Sequence, residues 1–370
     1  MSRPEKILIR GVNWLGDAVM TTPALQRLRA ARPHAHITLL THEKLAELWR
    51  GHPSIDATIS FAASESVFGV ARRLRREPFD IAVVFPNSPR SALEVFLAGI
   101  PQRIGCARNG RSLLLTRALP PRASALRMHK RSRTEIEQRI ARNTARETFP
   151  SAAHHVHDYL DVVSALGANP ALLPPLLRVS DAEVAAICSR FNWSNDQPLF
   201  ALNPGAEYGP AKRWPAERFV ETAVRLHERA QCRWVIVGGS ADRALAGDIA
   251  ARMAARIGST NITSVAGDTS LRELCAVLKA CALLVTNDTG PMHVGAALGT
   301  PVVVLFGSTS PELTGPVFAP GFPHQLIVGD APCAPCFLRE CPIEFRCMKS
   351  ISVEQVVEGV LHVSQMSFRR

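Results

Sequence analysis

Residues 283–293 read LLVTNDTGPMH. The run from Leu283 to Asn287 is apolar and β-prone, and then Asp288, Thr289, Gly290 and Pro291 arrive together, with His293 just behind. A buried strand that stops on polar residues and glycine and passes into a helix opened by proline is the strand-to-helix turn of a βαβ unit. Gly290 lets a phosphate approach the N–H groups of that helix N-terminus, so the turn is built to receive an anion. A plain Asp-Thr cap accounts for Asp288 and Thr289 but not for Gly290 and His293 beside them.

The same plan extends outward from this turn. Leu199 to Pro204, Trp234 to Gly238, Ile262 to Ala266 and Val302 to Phe306 are further apolar runs, each followed by helix-like sequence. The first half repeats it. Lys6 to Arg10, Ile37 to Thr41, Ile55 to Phe61 and Phe79 to Pro86 read as strands, with a helix over Asp17 to Ala31, another after Glu43 and a third opening near Ser88. Strands and helices alternating at this spacing imply parallel sheets covered on both faces. A chain of 370 residues is also long for one hydrophobic core. Two doubly wound α/β domains are therefore expected. The stretch LGANPALLPPLLRV, residues 166–179, holds three prolines and no period of either kind. It reads as a linker, giving domains over 1–175 and 176–370.

In open α/β sheets ligands sit beyond the carboxyl ends of the strands. Three more turns stand out there. The first, GVNWLGD over residues 11–17, is neither G-x-G-x-x-G nor a P-loop, which argues against a nicotinamide-dependent epimerase or dehydrogenase. Gly11 and Gly16 permit tight turns, and Asp17 projects from a first helical turn whose dipole lowers its pKa. An aspartate there suits a general base toward a substrate hydroxyl, or a plain N-cap. The second, Phe85-Pro-Asn87-Ser88, sets an amide and a hydroxyl where they could bind a sugar or cap the next helix. The third, NPGAEYGPAKRWP over residues 203–215, brings Gly205, Glu207, Lys212 and Arg213 to a strand end. Lys212 as a point charge and Arg213 as a two-pronged fork suit a diphosphate, although exposed Lys-Arg pairs are also common on solvated faces. No D-x-D pair of carboxylates occurs, so charge on a leaving diphosphate falls to Lys212, Arg213 and the helix N-terminus, and no cofactor is expected for catalysis.

With 46% hydrophobic and 20% charged residues the chain is globular rather than disordered. The longest apolar stretch, Val294 to Gly307, is broken by Thr300 and Pro301 and is shorter than the ~20 residues that span a bilayer. The opening residues lack a secretory apolar region, so a cytoplasmic location is expected. Much of the net charge of +11 comes from Arg103 to Pro150, where twelve Lys or Arg face three Glu, a local +9. Such a segment, with its core at Arg127, Lys130 and Arg131, fits an anionic partner or a solvated charged face. A nucleic-acid binder would explain the charge but leaves Asp17 and the Asp288 turn without a purpose, so no nucleic-acid partner is expected. Of nine cysteines, Cys333, Cys336, Cys341 and Cys347 gather within fifteen residues. In a reducing compartment this spacing suggests a structural zinc site, with an iron-sulfur cluster, free or redox-active thiols and disulfides as alternatives.

Taken together, GVNWLGDAVMTTPAL, FPNSPRSALEVFLAGIPQRIG, NPGAEYGPAKRWP and VTNDTGPMHVGAALGTPVVVLFG, in that order, resemble the bacterial ADP-heptose:lipopolysaccharide heptosyltransferases over nearly the whole length. The stretch GAEYGPAKRWP tilts the resemblance toward members that extend a heptose already attached, rather than those that add the first heptose to Kdo or related transferases of another core sugar. The resemblance implies a GT-B fold, two facing Rossmann-like domains with acceptor bound by the N-terminal one and ADP-heptose by the C-terminal one. It implies Asp17 as the base and Lys212 at the donor phosphates. Asp288, Thr289, Gly290 and His293 match the donor loop, with Gly205, Glu207 and Arg213 beside it. Gly16, Asn87 and Ser88 fall to the acceptor. Arg127, Lys130 and Arg131 would then meet a lipid A-Kdo2-heptose acceptor and the anionic inner leaflet of the plasma membrane, as a peripheral contact. The four cysteines lie outside the catalytic pattern.

Overall fold

A computed structural model describes residues 3–194 and 196–368. They form two compact units, Met1–Leu126 with Ala152–Arg178, and Arg127–Ser151 with Val179–Arg370. In the first unit β1 (Lys6–Arg10), β2 (His36–His42), β3 (Ala57–Phe61), β4 (Ile81–Val84), β5 (Gln102–Cys106) and β6 (Arg117–Leu119) make one six-stranded sheet in the order β3-β2-β1-β4-β5-β6. In the second, β7 (Leu199–Asn203), β8 (Arg233–Ile236), β9 (Ile262–Ser264), β10 (Leu283–Asn287), β11 (Val302–Phe306) and β12 (His324–Val328) take the order β12-β11-β10-β7-β8-β9. Numbered from its own first strand, each sheet runs third, second, first, fourth, fifth, sixth. Every pairing is parallel, with Ile7 opposite both Ile37 and Ile81, and Val285 opposite both Leu202 and Val303. This is the doubly wound arrangement read from the alternating runs.

Most of the strands found by sequence are apolar runs buried on both faces; β3 and β9, partly exposed, were found by their β-branched residues. In β10 and β11 all ten side chains are buried, as continuous apolar runs require in a covered parallel sheet. Three strands escaped that reading: β5 (QRIGC), β6 (RAL) and β12 (HQLIV) are short or partly exposed and carry polar residues. The helix over Asp17 to Ala31 is two helices, Leu15–Met20 and Thr22–Ala31. Pro23 has no N–H for the Val19 carbonyl, and the Thr22 hydroxyl takes that acceptor at 2.8 Å, so the ladder breaks there. After Glu43 the chain makes a 3-10 turn, Glu43–Trp49, instead of an α-helix.

Residues 168–180 carry neither helix nor strand, and the units divide at Arg178. The segment Arg127–Ser151, grouped by sequence with the N-terminal domain, packs in the second unit instead. Its helix Arg133–Ala141 sinks Ile136 into the second core, and Arg139 donates to the Pro332 carbonyl at 2.8 Å. Local sequence holds no signal for a pairing so distant along the chain.

Candidate active site

In each sheet the strand order reverses between the first and fourth strands, and ligands of doubly wound folds sit at that switch point. The four turns singled out by sequence occupy both. Gly11–Asp17 follows β1 and Pro86–Ser88 follows β4, while Pro204–Trp214 follows β7 and Asp288–His293 follows β10.

At the first switch point Gly11 donates to the Leu40 carbonyl at 2.8 Å, and a Cβ there would lie 3.2 Å from the same oxygen. The turn then enters the helix Leu15–Met20 with Trp14, not Asp17, at the N-cap position; Gly16 and Asp17 stand in its first turn. The capping role for Asp17 is thereby removed. Its carboxylate lies close to Tyr159, whose phenol is held well above its ordinary pKa by burial and then by the Asp17 charge. The Tyr159 ring meets Phe85 edge-on at 5.4 Å. Trp14 is 43% exposed, and the Lys44 ammonium lies 5.4 Å from its ring centre.

Two buried arginines hold these turns, and sequence gave no reason to suspect either, since arginine is normally a surface residue. Arg10 ends β1, pairs with the buried Glu94 at 2.8 Å, and donates to the Gly11 carbonyl at 2.6 Å and to Asn13 Oδ1 at 3.2 Å. Arg111 donates to the carbonyls of Pro86 and Cys106 and, at 3.3 Å, to Asn87 Oδ1. Burial pulls its pKa down to about 10. Asn87 is thereby tied through its Oδ1 to the buried arginine. Ser88 is different. It is the N-cap of the helix Pro89–Leu97, its hydroxyl accepting from the Ser91 N–H at 3.3 Å, so the capping alternative describes it.

The second switch point is stitched by the residues that end its two strands. Asn203 Nδ2 donates to Thr286 Oγ1 at 2.9 Å; Asn287 donates to the Pro204 carbonyl at 2.8 Å and accepts from the Trp214 N–H at 3.0 Å. Within that frame Lys212 Nζ lies 2.6 Å from Asp288 Oδ2, both side chains largely buried, and the Thr309 hydroxyl donates to the same carboxylate. The Lys212 ammonium also sits 5.0 Å from the Tyr208 ring centre. Thr289 is the N-cap of Gly290–Leu298 but spends no side-chain bond on capping, and His293 is buried in that helix. Gly205 is needed for close approach, because a Cβ there would meet the Asp242 carboxylate at 2.4 to 2.5 Å. Asp242 accepts from the Gly239 N–H at 3.1 Å and pairs with Arg213 at 3.5 Å, so Arg213 is aimed by a carboxylate. Glu207 is exposed on the loop. Asp242 and Thr309 were missed by sequence, although both follow strands, β8 and β11, at glycines that could have flagged them.

Other expected residues lie elsewhere. Arg127, Lys130 and Arg131 belong to the second unit, where Arg127 and Lys130 are exposed. Arg131, expected to meet the acceptor, is only 7% exposed, donates to the Cys333 carbonyl at 2.8 Å and pairs with Glu147. It ties Arg127–Ser151 to the cysteine segment. Cys333, Cys336, Cys341 and Cys347 line one cavity of about 10 Å3, scarcely room for a water. Burial, then repulsion among the thiols, pushes the Cys347 thiol up to about 12, and burial raises Cys333 and Cys336 as well. Among the described residues no group of three or more His, Cys, Asp or Glu side chains is arranged to hold a metal ion. Cys333, Cys336 and Cys347 pack in the second core, where the Ser308 carbonyl accepts from the N–H groups of Cys336 and Phe337 at 3.1 and 2.8 Å.

The model of glycosyltransferase family 9 (heptosyltransferase) matches residues 67–345. The chain is 31% identical over 332 residues to lipopolysaccharide heptosyltransferase 2 of Escherichia coli, covering 88% of this chain and 89% of that one. It is 29% identical over 334 residues to lipooligosaccharide heptosyltransferase 2 of Haemophilus influenzae, with the same coverage. Among solved structures, that of the E. coli ADP-heptose lipopolysaccharide heptosyltransferase II superposes with a TM-score of 0.76 at 27% identity, over 98% of this chain and 99% of the other.

Proposed function

The chain belongs to glycosyltransferase family 9, the heptosyltransferases, and on that premise we propose that it transfers L-glycero-D-manno-heptose from ADP-heptose to the first heptose of the lipopolysaccharide inner core, with inversion. The observation that carries this reading is the chemistry of the two switch points, an aspartate in a first helical turn at one and a buried lysine beside a helix N-terminus at the other. The relatives at about 30% identity, both named heptosyltransferase 2, support the choice of acceptor.

In this reading Asp17 accepts the proton of the attacked acceptor hydroxyl while that oxygen's lone pair forms the new bond to the donor's anomeric carbon. The bond from that carbon to the distal phosphate of ADP breaks, and its electron pair leaves on the diphosphate. Lys212 exchanges part of its pairing with Asp288 for the diphosphate, and the N–H groups opening the Gly290 helix donate to it. Arg213, aimed by Asp242, adds a fork to the same charge. Asp288 and Thr309 keep the ammonium in place between turnovers. On the acceptor side the exposed Trp14 ring offers a flat apolar face to a sugar, with Lys44 beside it for an anionic group and the Asn87 amide for a hydroxyl. Tyr159, un-ionised, lies next to the base without competing for its proton.

Such an acceptor is a lipid, so the enzyme works as a peripheral protein at the cytoplasmic face of the inner membrane; among the described residues no helix is long and apolar enough to cross it. The test is transfer from ADP-heptose to a lipid A-Kdo2 acceptor bearing one heptose, against the same acceptor bearing none. Activity confined to the heptosylated acceptor is the predicted result. Equal or greater activity on the bare acceptor assigns addition of the first heptose instead.

A further inference from the structure

Right-handed crossovers place the helices Val67–Leu74 and Pro89–Leu97 and the 3-10 turn Arg111–Leu114 on one face of the first sheet, where each packs against the next. Val70, Leu74, Ala92 and Val95 point inward and fill the core, and Ala71 is buried beside them in sequence. The outward surface of this layer has an unusual composition. Phe68 is 73% exposed, Phe96 43% and Leu113 92%, three large apolar side chains, one on each element. Along the first helix Phe68 and Arg72 are one turn apart, with Arg75 and Arg76 a further turn on, and all four are exposed. Arg90 is exposed on the second helix, and the Arg103 guanidinium stacks 5.2 Å from the Phe96 ring centre.

The charge on this layer is one-sided. Residues 65–117 hold nine arginines and no lysine against four acids, Glu65, Glu77, Asp80 and Glu94. Each acid is already engaged: Glu65 with Arg73 at 3.2 Å, Glu77 with Lys6 at 3.9 Å, Asp80 with Arg3 at 2.5 Å, and Glu94 buried against Arg10 and Arg90. Several arginines are braced rather than free to wave: Arg75 donates to the Leu97 carbonyl at 2.8 Å and Arg90 to that of Glu65 at 2.5 Å. The opposite face differs. There the helix Thr22–Ala31 is overlaid by the chain near residues 171–176, Gln26 and Arg27 donating to the carbonyls of Pro174 and Ala171 and the Thr22 hydroxyl accepting from the Leu176 N–H.

We propose that the outer surface of this helical layer, Phe68, Phe96 and Leu113 set among Arg72, Arg76 and Arg90, docks the protein on an anionic lipid bilayer. This rests on the reading of a lipid acceptor. Isolated apolar side chains separated by arginines do not make the contiguous apolar centre of a protein interface. A nucleic acid would leave Phe68 and Leu113 in water. A bilayer surface accepts both, the apolar side chains entering the acyl boundary and the arginines meeting lipid phosphates.

The experiment uses the full chain in two assays, flotation with vesicles of phosphatidylglycerol and phosphatidylethanolamine against vesicles of phosphatidylcholine, and transfer to a deacylated, water-soluble heptosylated acceptor. The wild type is expected to float with the anionic vesicles and not with the neutral ones. In the pairs Phe68→Ser with Leu113→Ser and Arg72→Glu with Arg76→Glu, partition falls about tenfold or more while soluble-acceptor turnover stays at the wild-type rate. That unchanged turnover also establishes that the variants are folded. Wild-type protein that ignores the anionic vesicles, or variants that float like it, overturns the proposal. So does a parallel loss of soluble-acceptor turnover in folded variants, which would put this layer inside the acceptor site. Absence of transfer by the wild type itself refutes the functional reading and leaves the flotation result to stand alone.

Discussion

The two sheets share a strand order and a switch point but prepare opposite chemistry at their carboxyl edges. At the first, an aspartate faces a buried phenol, and the turns that carry it hang on arginines behind the site, Arg10 and Arg111. At the second, a lysine is held in the site by Asp288 and Thr309, and the turns are stitched by the amides of Asn203 and Asn287. Topology thus fixes where chemistry occurs, and the residues that close each strand fix which chemistry it is. At the first edge the buried arginines bond the turns themselves, Arg10 at the Gly11 carbonyl and Arg111 at Asn87. At the second edge the largely buried Lys212 is given a carboxylate partner, Asp288, because a buried ammonium without one is costly.

That contrast can be broken by single substitutions. Asp17→Asn keeps shape and removes the base, and kcat is expected to fall by about a hundred- to ten-thousandfold, the usual worth of general-base catalysis. Steady-state kinetics on the heptosylated acceptor would check it, and wild-type turnover would remove Asp17 from the mechanism. Arg10→Leu leaves Glu94 without its buried partner, and urea unfolding should report a loss of about 3 to 5 kcal/mol; a loss below 1 kcal/mol would mean the pair is not what holds the Gly11 turn. Lys212→Ala should raise the KM for ADP-heptose by about ten- to a hundredfold, the cost of about 1.5 to 3 kcal/mol for a lost charged hydrogen bond. Ser88→Ala should do least, about 0.5 to 2 kcal/mol of stability with turnover nearly unchanged, because the hydroxyl caps a helix. A large fall in kcat there would return Ser88 to the acceptor site.

The contrast also explains what could be read in the sequence. All four switch-point turns were legible, because a covered parallel strand is a run of apolar residues and its end is marked by Gly, Asn, Asp or Pro. Asp17 and Lys212 were therefore singled out at the turns where the structure places them. The supports were not. Arg10 sits in a strand whose neighbours are apolar, and nothing local announces that Glu94, 84 residues on, will neutralise it. Asp242 and Thr309 owe their significance to distant partners in the same way, Arg213 and Asp288. Arg131 shows the reverse error. Its basic neighbourhood promised an exposed cation, whereas tertiary contact with the Cys333 carbonyl buries it. Four closely spaced cysteines suggested a ligand set, and the structure brings all four to the lining of one small cavity.

The division of labour between the two edges is tested most directly by calorimetric titration of ADP-heptose into Asp17→Asn and Lys212→Ala side by side. Wild-type donor affinity in Asp17→Asn, together with at least a tenfold weaker affinity in Lys212→Ala, is the predicted result. Equal weakening in both, or donor binding lost only in Asp17→Asn, would contradict it.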